Sequence, residues 1–225
     1  SSAASDVYKR QVEDPYQISG QANLEWIADQ IENHSESFEG KYFKLQSDIS
    51  LGSVANWTPI GSYDKPFKGS FDGDGYVITD LNVESGAHAG LFGVIEDGMV
   101  ENLGVKFGTI KSKGTTSIEY GYKPNVGGIA GAITNTTIRN CYTIGNLLNA
   151  SCSSFSYSIG GGIVGEGTQS TILNCYSICA INLVSQYSVC GGGIVGSGSD
   201  LTVNNCYSIC KIEGKLSLIH ISEPT

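Results

Sequence analysis

The chain offers several sets of residues whose types could do chemistry, and their spacing decides against most of them. Cys175 and Cys179, and then Cys206 and Cys210, stand as two C-x-x-x-C pairs. Four thiols could bind zinc, yet structural zinc sites place their ligands on tight knuckles or helices, and no C-x-x-C occurs. Gly160 to Gly165 and Gly191 to Gly196 both match G-x-G-x-x-G. A dinucleotide fingerprint needs a following helix and an acidic residue about 20 positions on. Here the match recurs with no helical spacing after it, so the glycines read as structural. Asp72-Gly73-Asp74-Gly75 has the look of a calcium loop, but Val83 stands where an EF-hand requires glutamate, and a simple turn is expected. The acidic pairs Asp72/Asp74 and Glu96/Asp97 could serve a glycosidase in principle. His34, His88 and His220 are isolated from one another, and neither H-E-x-x-H nor G-x-S-x-G is present. No catalytic residue, metal ligand or cofactor site is assigned, and the chain is not expected to be an enzyme.

The elements that carry these residues repeat. Gly127 to Leu147 (GGIAGAITNTTIRNCYTIGNL), Gly161 to Ile181 (GGIVGEGTQSTILNCYSICAI) and Gly192 to Ile212 (GGIVGSGSDLTVNNCYSICKI) are copies of one another. A fainter copy runs from Ala89-Gly90-Leu91-Phe92-Gly93 to Asn102-Leu103-Gly104. Starts at 89, 127, 161 and 192 give periods of 38, 34 and 31 residues, with the variable length confined between copies. Such periods signal a solenoid whose units bury their apolar faces on one another. Short β segments without helical spacing, around a common stretch of about 21 residues, predict an all-β parallel β-helix. A β-propeller is the alternative, although its blades need about 40 residues each.

The copies align three columns. Asn102, Asn140, Asn174 and Asn205 form one, read as an asparagine ladder that satisfies the coil corner, with a ligand-binding row as the alternative. Asn135 stands outside it and is expected to tolerate alanine. Cys141, Cys175 and Cys206 form a second column, read as free buried thiols filling a small-residue core. A vertical disulfide between Cys179 and Cys210 is a lesser option; Cys152 and Cys190 lie outside the shared motif. Tyr142, Tyr176 and Tyr207 form the third. Facing outward they would make an aromatic stripe able to stack on sugar rings or a partner protein; against the inter-repeat loops they would be structural.

Upstream, Leu24, Ile27, Ala28 and Ile31 sit at helical spacing, predicting an amphipathic helix over about Gly20 to Asn33 with Ser19 as N-cap. It is read as a lid on the open end of the strand stack, which would otherwise expose apolar core. Lys41 to Leu45, Trp57 to Gly61, Phe67 to Phe71 and Tyr76 to Thr79 are expected as short strands, as is each Gly-Gly-Ile-Val-Gly piece. Residues 12–88 therefore form the cap and first coils, and 89–214 the four repeats. Residues 1–11 and 215–225 resemble translated sequencing-adapter sequence and are set aside as non-native. The chain is then expected to be a fragment without its signal peptide or anchor, ending on an uncapped coil near Gly214.

A net charge of −9 with only 16% charged residues disfavours nucleic acid, which requires a basic stripe. No apolar run approaches the length of a membrane-spanning helix, so direct membrane insertion is not expected.

The Gly-[Ile/Leu]-[Val/Phe]-Gly openings with their Asn-Cys-Tyr partners resemble the GLUG repeat. Trp57 to Gly61, Phe67 to Gly75 and Leu81-Asn82 resemble the segment that precedes those repeats, so the likeness covers about residues 14–214. It implies a right-handed β-helix in a secreted or surface-anchored bacterial protein. Adhesins and the non-catalytic regions of IgA-specific metalloendopeptidases carry such repeats, and no catalytic residues come with them. The implied role is an adhesion, interaction or spacer module with a host glycan or protein as ligand. The alternative is an accessory region of a surface metallopeptidase or carbohydrate-active enzyme.

Overall fold

The computed structural model describes residues 14–114, 123–152 and 157–216. The segments 1–11 and 217–225, including His220, lie outside the described residues. The described part is a parallel β-solenoid with one helix at its N-terminal end. Four parallel sheets run along the stack, and each of the four repeats contributes one strand to each in turn. In the second copy the chain passes along an entry face (Asn125–Gly127), a second face (Ala130–Thr134), a short face (Thr137–Arg139) and a long face (Tyr142–Cys152).

Register follows the sequence repeat. On the second face Ala130 pairs with Phe92 and with Val164, and Val164 pairs with Val195, steps of 38, 34 and 31 residues. Two corners in each of the four repeats take a left-handed backbone, which asparagine and aspartate adopt at lower cost than most residues. Asn102, Asn140, Asn174 and Asn205 lie at φ 52–54° where the short face turns into the long one. Asp97, Asn135, Gln169 and Asp200 lie at φ 45–53° where the second face turns into the short one.

Inside, like residues stack: Leu91, Ile129 and Ile163 on one side, Val100, Ile138 and Ile172 on another, all buried. The first coils are filled by Phe43, Phe67, Phe71 and Phe92, whose ring centroids stand 5.2–5.7 Å apart in successive contacts. The helix Gln21–His34 turns Leu24, Ile27 and Ile31 onto this core and closes the end of the stack, as a terminal coil requires.

Several local expectations are corrected. The N-cap is Gly20, without a side-chain cap, because Ser19 is engaged by the Asn23 side chain instead. Trp57 to Gly61 forms no strand; Ile60 makes one isolated bridge, and the buried Trp57 indole donates to the Leu91 carbonyl at 3.0 Å. Each Gly-Gly-Ile-Val-Gly piece is not one strand but the junction of two: Tyr157–Gly161 ends at its first glycine, Gly162 and Ile163 bend, and Val164–Thr168 begins at its valine. A Cβ on Gly161 would collide with the Val164 carbonyl and stand 2.6 Å from the Gly196 nitrogen, so backbone fills the space. The last strand is Tyr207–Leu216.

Candidate functional site

The asparagine column is a continuous amide ladder on the surface. Asn140 donates through Nδ2 to Asn102 Oδ1 at 3.0 Å, Asn174 to Asn140 at 3.0 Å, and Asn205 to Asn174 at 2.7 Å. Asn102 in turn donates to Asp72 Oδ1 at 3.0 Å. Asp72 therefore terminates the ladder while also accepting from the Asp74 amide at 2.8 Å within its own turn. Alignment of the copies could not find Asp72, because its register partner is Glu101, one residue before Asn102, and it lies outside the asparagine column. Asn140, Asn174 and Asn205 are exposed, so their amides sit in water and not in a buried corner. Asn135 is not a bystander. It belongs to the second left-handed column, and its Nδ2 donates to Asp97 Oδ1 at 2.7 Å. With Glu96 paired to Lys68 at 2.5 Å, the Glu96/Asp97 pair is spent on holding coils together.

Tyr142, Tyr176 and Tyr207 stack face to face, with centroids 5.0 and 5.1 Å apart and planes within 6°. The other face of Tyr142 lies on Gly104, where a Cβ would meet its ring at 2.5 Å. The faces inside the column are thus used by neighbouring rings, and the stripe shows solvent mainly edges and hydroxyls, save at Tyr207, which is 58% exposed.

Cys141 and Cys175 are buried, each Sγ 3.1 Å from the carbonyl two residues back, at the end of the preceding short strand. Cys206 repeats the contact at 3.2 Å but is half-buried. Burial pushes the Cys141 thiol well above its ordinary range, which leaves it protonated and inert. Among the described residues no three or more of His, Cys, Asp and Glu gather in a way that could hold a metal ion.

A concave site emerges elsewhere, at the angle between the entry and second faces. Neighbouring coils place His88 beside Asn125 on the entry face, and Val94, Ala132 and Glu166 in one row on the second. A groove of about 710 Å³ results, lined by Tyr63, His88, Glu96, Lys123, Thr134 and Glu166 among others. Glu166 is held from two sides, by Lys123 at 3.3 Å and by Asn125 Nδ2 at 2.9 Å. Asn125 is fully buried, and its Oδ1 has no hydrogen-bond partner among the described residues. Lys123 also lies 5.5 Å from the centroid of the Tyr157 ring. Burial pushes the His88 imidazole down to about 4, against the opposing charge of Glu166, so it is neutral at pH 7. Tyr63, 67% exposed, leans over His88 with centroids 6.3 Å apart. A smaller cavity of about 310 Å³ beneath the helix shares Tyr63 and His88 and adds Ala28, Ile31 and Pro59. In sequence His88 stands alone and Glu166 varies between copies, so column matching passed over both.

No family model matches the chain. It is 36% identical over 114 residues to "Putative Gly-rich membrane protein" of Evansella cellulosilytica, covering 47% of this chain and 12% of that protein. It is 27% identical over 156 residues to Halomucin of Haloquadratum walsbyi, covering 55% of this chain and 2% of that protein. The chain thus spans a small part of the relatives it matches. Among solved structures, a "putative immunoglobulin A1 protease" from Bacteroides ovatus superposes with a TM-score of 0.54 at 21% identity, over 95% of this chain and 81% of that one. At that identity the likeness concerns the fold, which both chains share as a parallel β-solenoid.

Proposed function

We propose that this chain is a rigid interaction and spacer module of the GLUG-repeat kind in a secreted or cell-surface bacterial protein, and that it binds without catalysing a reaction. The observation that carries the binding role is the groove around Tyr63, His88 and Glu166. It has an exposed aromatic ring, a neutral imidazole, threonine hydroxyls and a carboxylate held in place by two partners. Its about 710 Å³ falls in the range of small-molecule sites. This mixture of one apolar ring face and oriented hydrogen-bonding groups suits a short glycan segment better than a flat protein surface. The spacer role is supported by the in-register stack itself, and the surface setting by a relative named as a membrane protein.

A glycan array followed by calorimetry on the best ligand tests the reading. Tyr63→Ala and Glu166→Gln should each weaken binding about tenfold or more, the loss of roughly 1.4 kcal/mol. Tyr207→Ala, on the edge-on stripe, should leave it unchanged. Binding lost with Tyr207→Ala and kept with Tyr63→Ala would move the site to the tyrosine column. Release of new reducing ends from the bound glycan would instead favour the carbohydrate-active alternative.

A further inference from the structure

We infer that Cys179 and Cys210 form a redox-reversible disulfide clip between successive coils. The two residues are register partners on the long face, in the parallel strands Tyr176–Ser185 and Tyr207–Leu216. Both are free thiols, and their sulfurs lie 3.3 Å apart. That is direct contact, and a disulfide of about 2.05 Å requires only a further small approach. The Cys210 sulfur also stands 3.3 Å from the Ser177 hydroxyl, but no third thiol adjoins the two. In the coil below, the ladder slips between Ile144 and Leu147, opposite this position, and no cysteine stands there to compete.

The column of Cys141, Cys175 and Cys206 also brings neighbouring thiols into contact, but there each sulfur faces the carbonyl two residues back in its own coil, and three thiols cannot all pair. Neighbouring strands run about 4.8 Å apart, within the Cα separation a disulfide spans but long for its Cβ atoms. A bond here is therefore strained and easily reduced, the mark of a regulatory disulfide and not of a permanent one.

The oxidant is a small-molecule disulfide such as oxidised glutathione. Cys210, the more exposed of the two, attacks one sulfur of that disulfide as its thiolate, forming a mixed disulfide and releasing one glutathione thiolate. Cys179 gives up its proton and attacks the Cys210 sulfur; the protein S–S bond forms, the mixed S–S bond breaks, and a second glutathione thiolate leaves. The two protein thiols lose two electrons, the oxidant gains them, and the two released protons end on the two glutathione thiols.

The test uses the whole chain, reduced, desalted and exposed to oxidised glutathione, then alkylated in denaturant and digested without reductant. Mass spectrometry should find the Cys179 and Cys210 peptides joined, with two fewer alkylated thiols than in the reduced chain. The urea midpoint should rise on oxidation and return with dithiothreitol. Cys179→Ser should stop at a glutathione adduct on Cys210, and Cys210→Ser should leave Cys179 unmodified. Cross-links dominated by Cys141, Cys175, Cys206, Cys152 or Cys190, or a stable adduct on Cys210 of the native sequence, would overturn the inference. Mapping in the native sequence stands even if a serine variant fails to fold.

Discussion

Asn174→Ala tests whether the amide ladder or the corner backbone holds neighbouring coils together. Asn174 gives one hydrogen bond to Asn140 at 3.0 Å and receives one from Asn205 at 2.7 Å. Both are solvent-exposed, so water replaces part of each, and together they contribute roughly 1 kcal/mol. The backbone at φ 53° adds a second cost, since an alanine Cβ in the left-handed region is unfavourable by about 1–2 kcal/mol. Alanine should therefore destabilise by about 2–3 kcal/mol. Glycine, which meets no such penalty, loses only the amide contacts and should cost about 1 kcal/mol. Urea unfolding followed by circular dichroism reads both midpoints. Equal losses for the two variants would refute the backbone argument, and two variants within about 0.5 kcal/mol of the parent would refute the ladder as well.

Asn135→Ala should also destabilise, by about 1–2 kcal/mol, because it removes a left-handed asparagine and its bond to Asp97; a neutral result would reduce that second column to a crystal-like decoration of the corner. Gly161→Ala should cost about 3 kcal/mol or prevent folding, since the new Cβ meets backbone atoms of two coils that cannot move aside independently; a soluble, normally melting variant would contradict the close packing. In the reduced native protein Cys141 and Cys175 should resist iodoacetamide while half-buried Cys206 reacts faster, and all should react after unfolding; equal rates would mean the column breathes as a unit. His88 is held down to about 4 in the folded chain against about 6.5 when unfolded. Its contribution is thus fully present above about pH 6.5 and is lost as pH falls towards 4, by about 3 kcal/mol at most. Because Glu166 and Lys123 face the same groove, the comparison is with His88→Gln, whose stability should fall less over that window; parallel curves would place the imidazole in water.

The sequence by itself determined the solenoid. Three near-identical copies at steps of 34 and 31 residues, each with its Asn-Cys-Tyr, leave little choice but to stack in register, since no single copy can bury its own apolar face. It also aligned the asparagine, cysteine and tyrosine columns, because identical residues at identical offsets must fall above one another once strands pair in parallel. The helix was legible from the spacing of Leu24, Ile27 and Ile31, all of which are buried. Tertiary structure decided what the columns face. Nothing in Asn-Cys-Tyr states that the asparagines lie in water, or that the tyrosine rings spend their faces on one another. Nor does it state that Asp72, a residue of an earlier and dissimilar coil, ends the ladder. The groove was invisible for the same reason: Tyr63, His88, Lys123 and Glu166 come from four separate stretches of chain, and none is repeated. Repetition reveals the residues that each coil shares with the next, whereas a binding site is built from the ones that differ, and only the stacked fold brings those together.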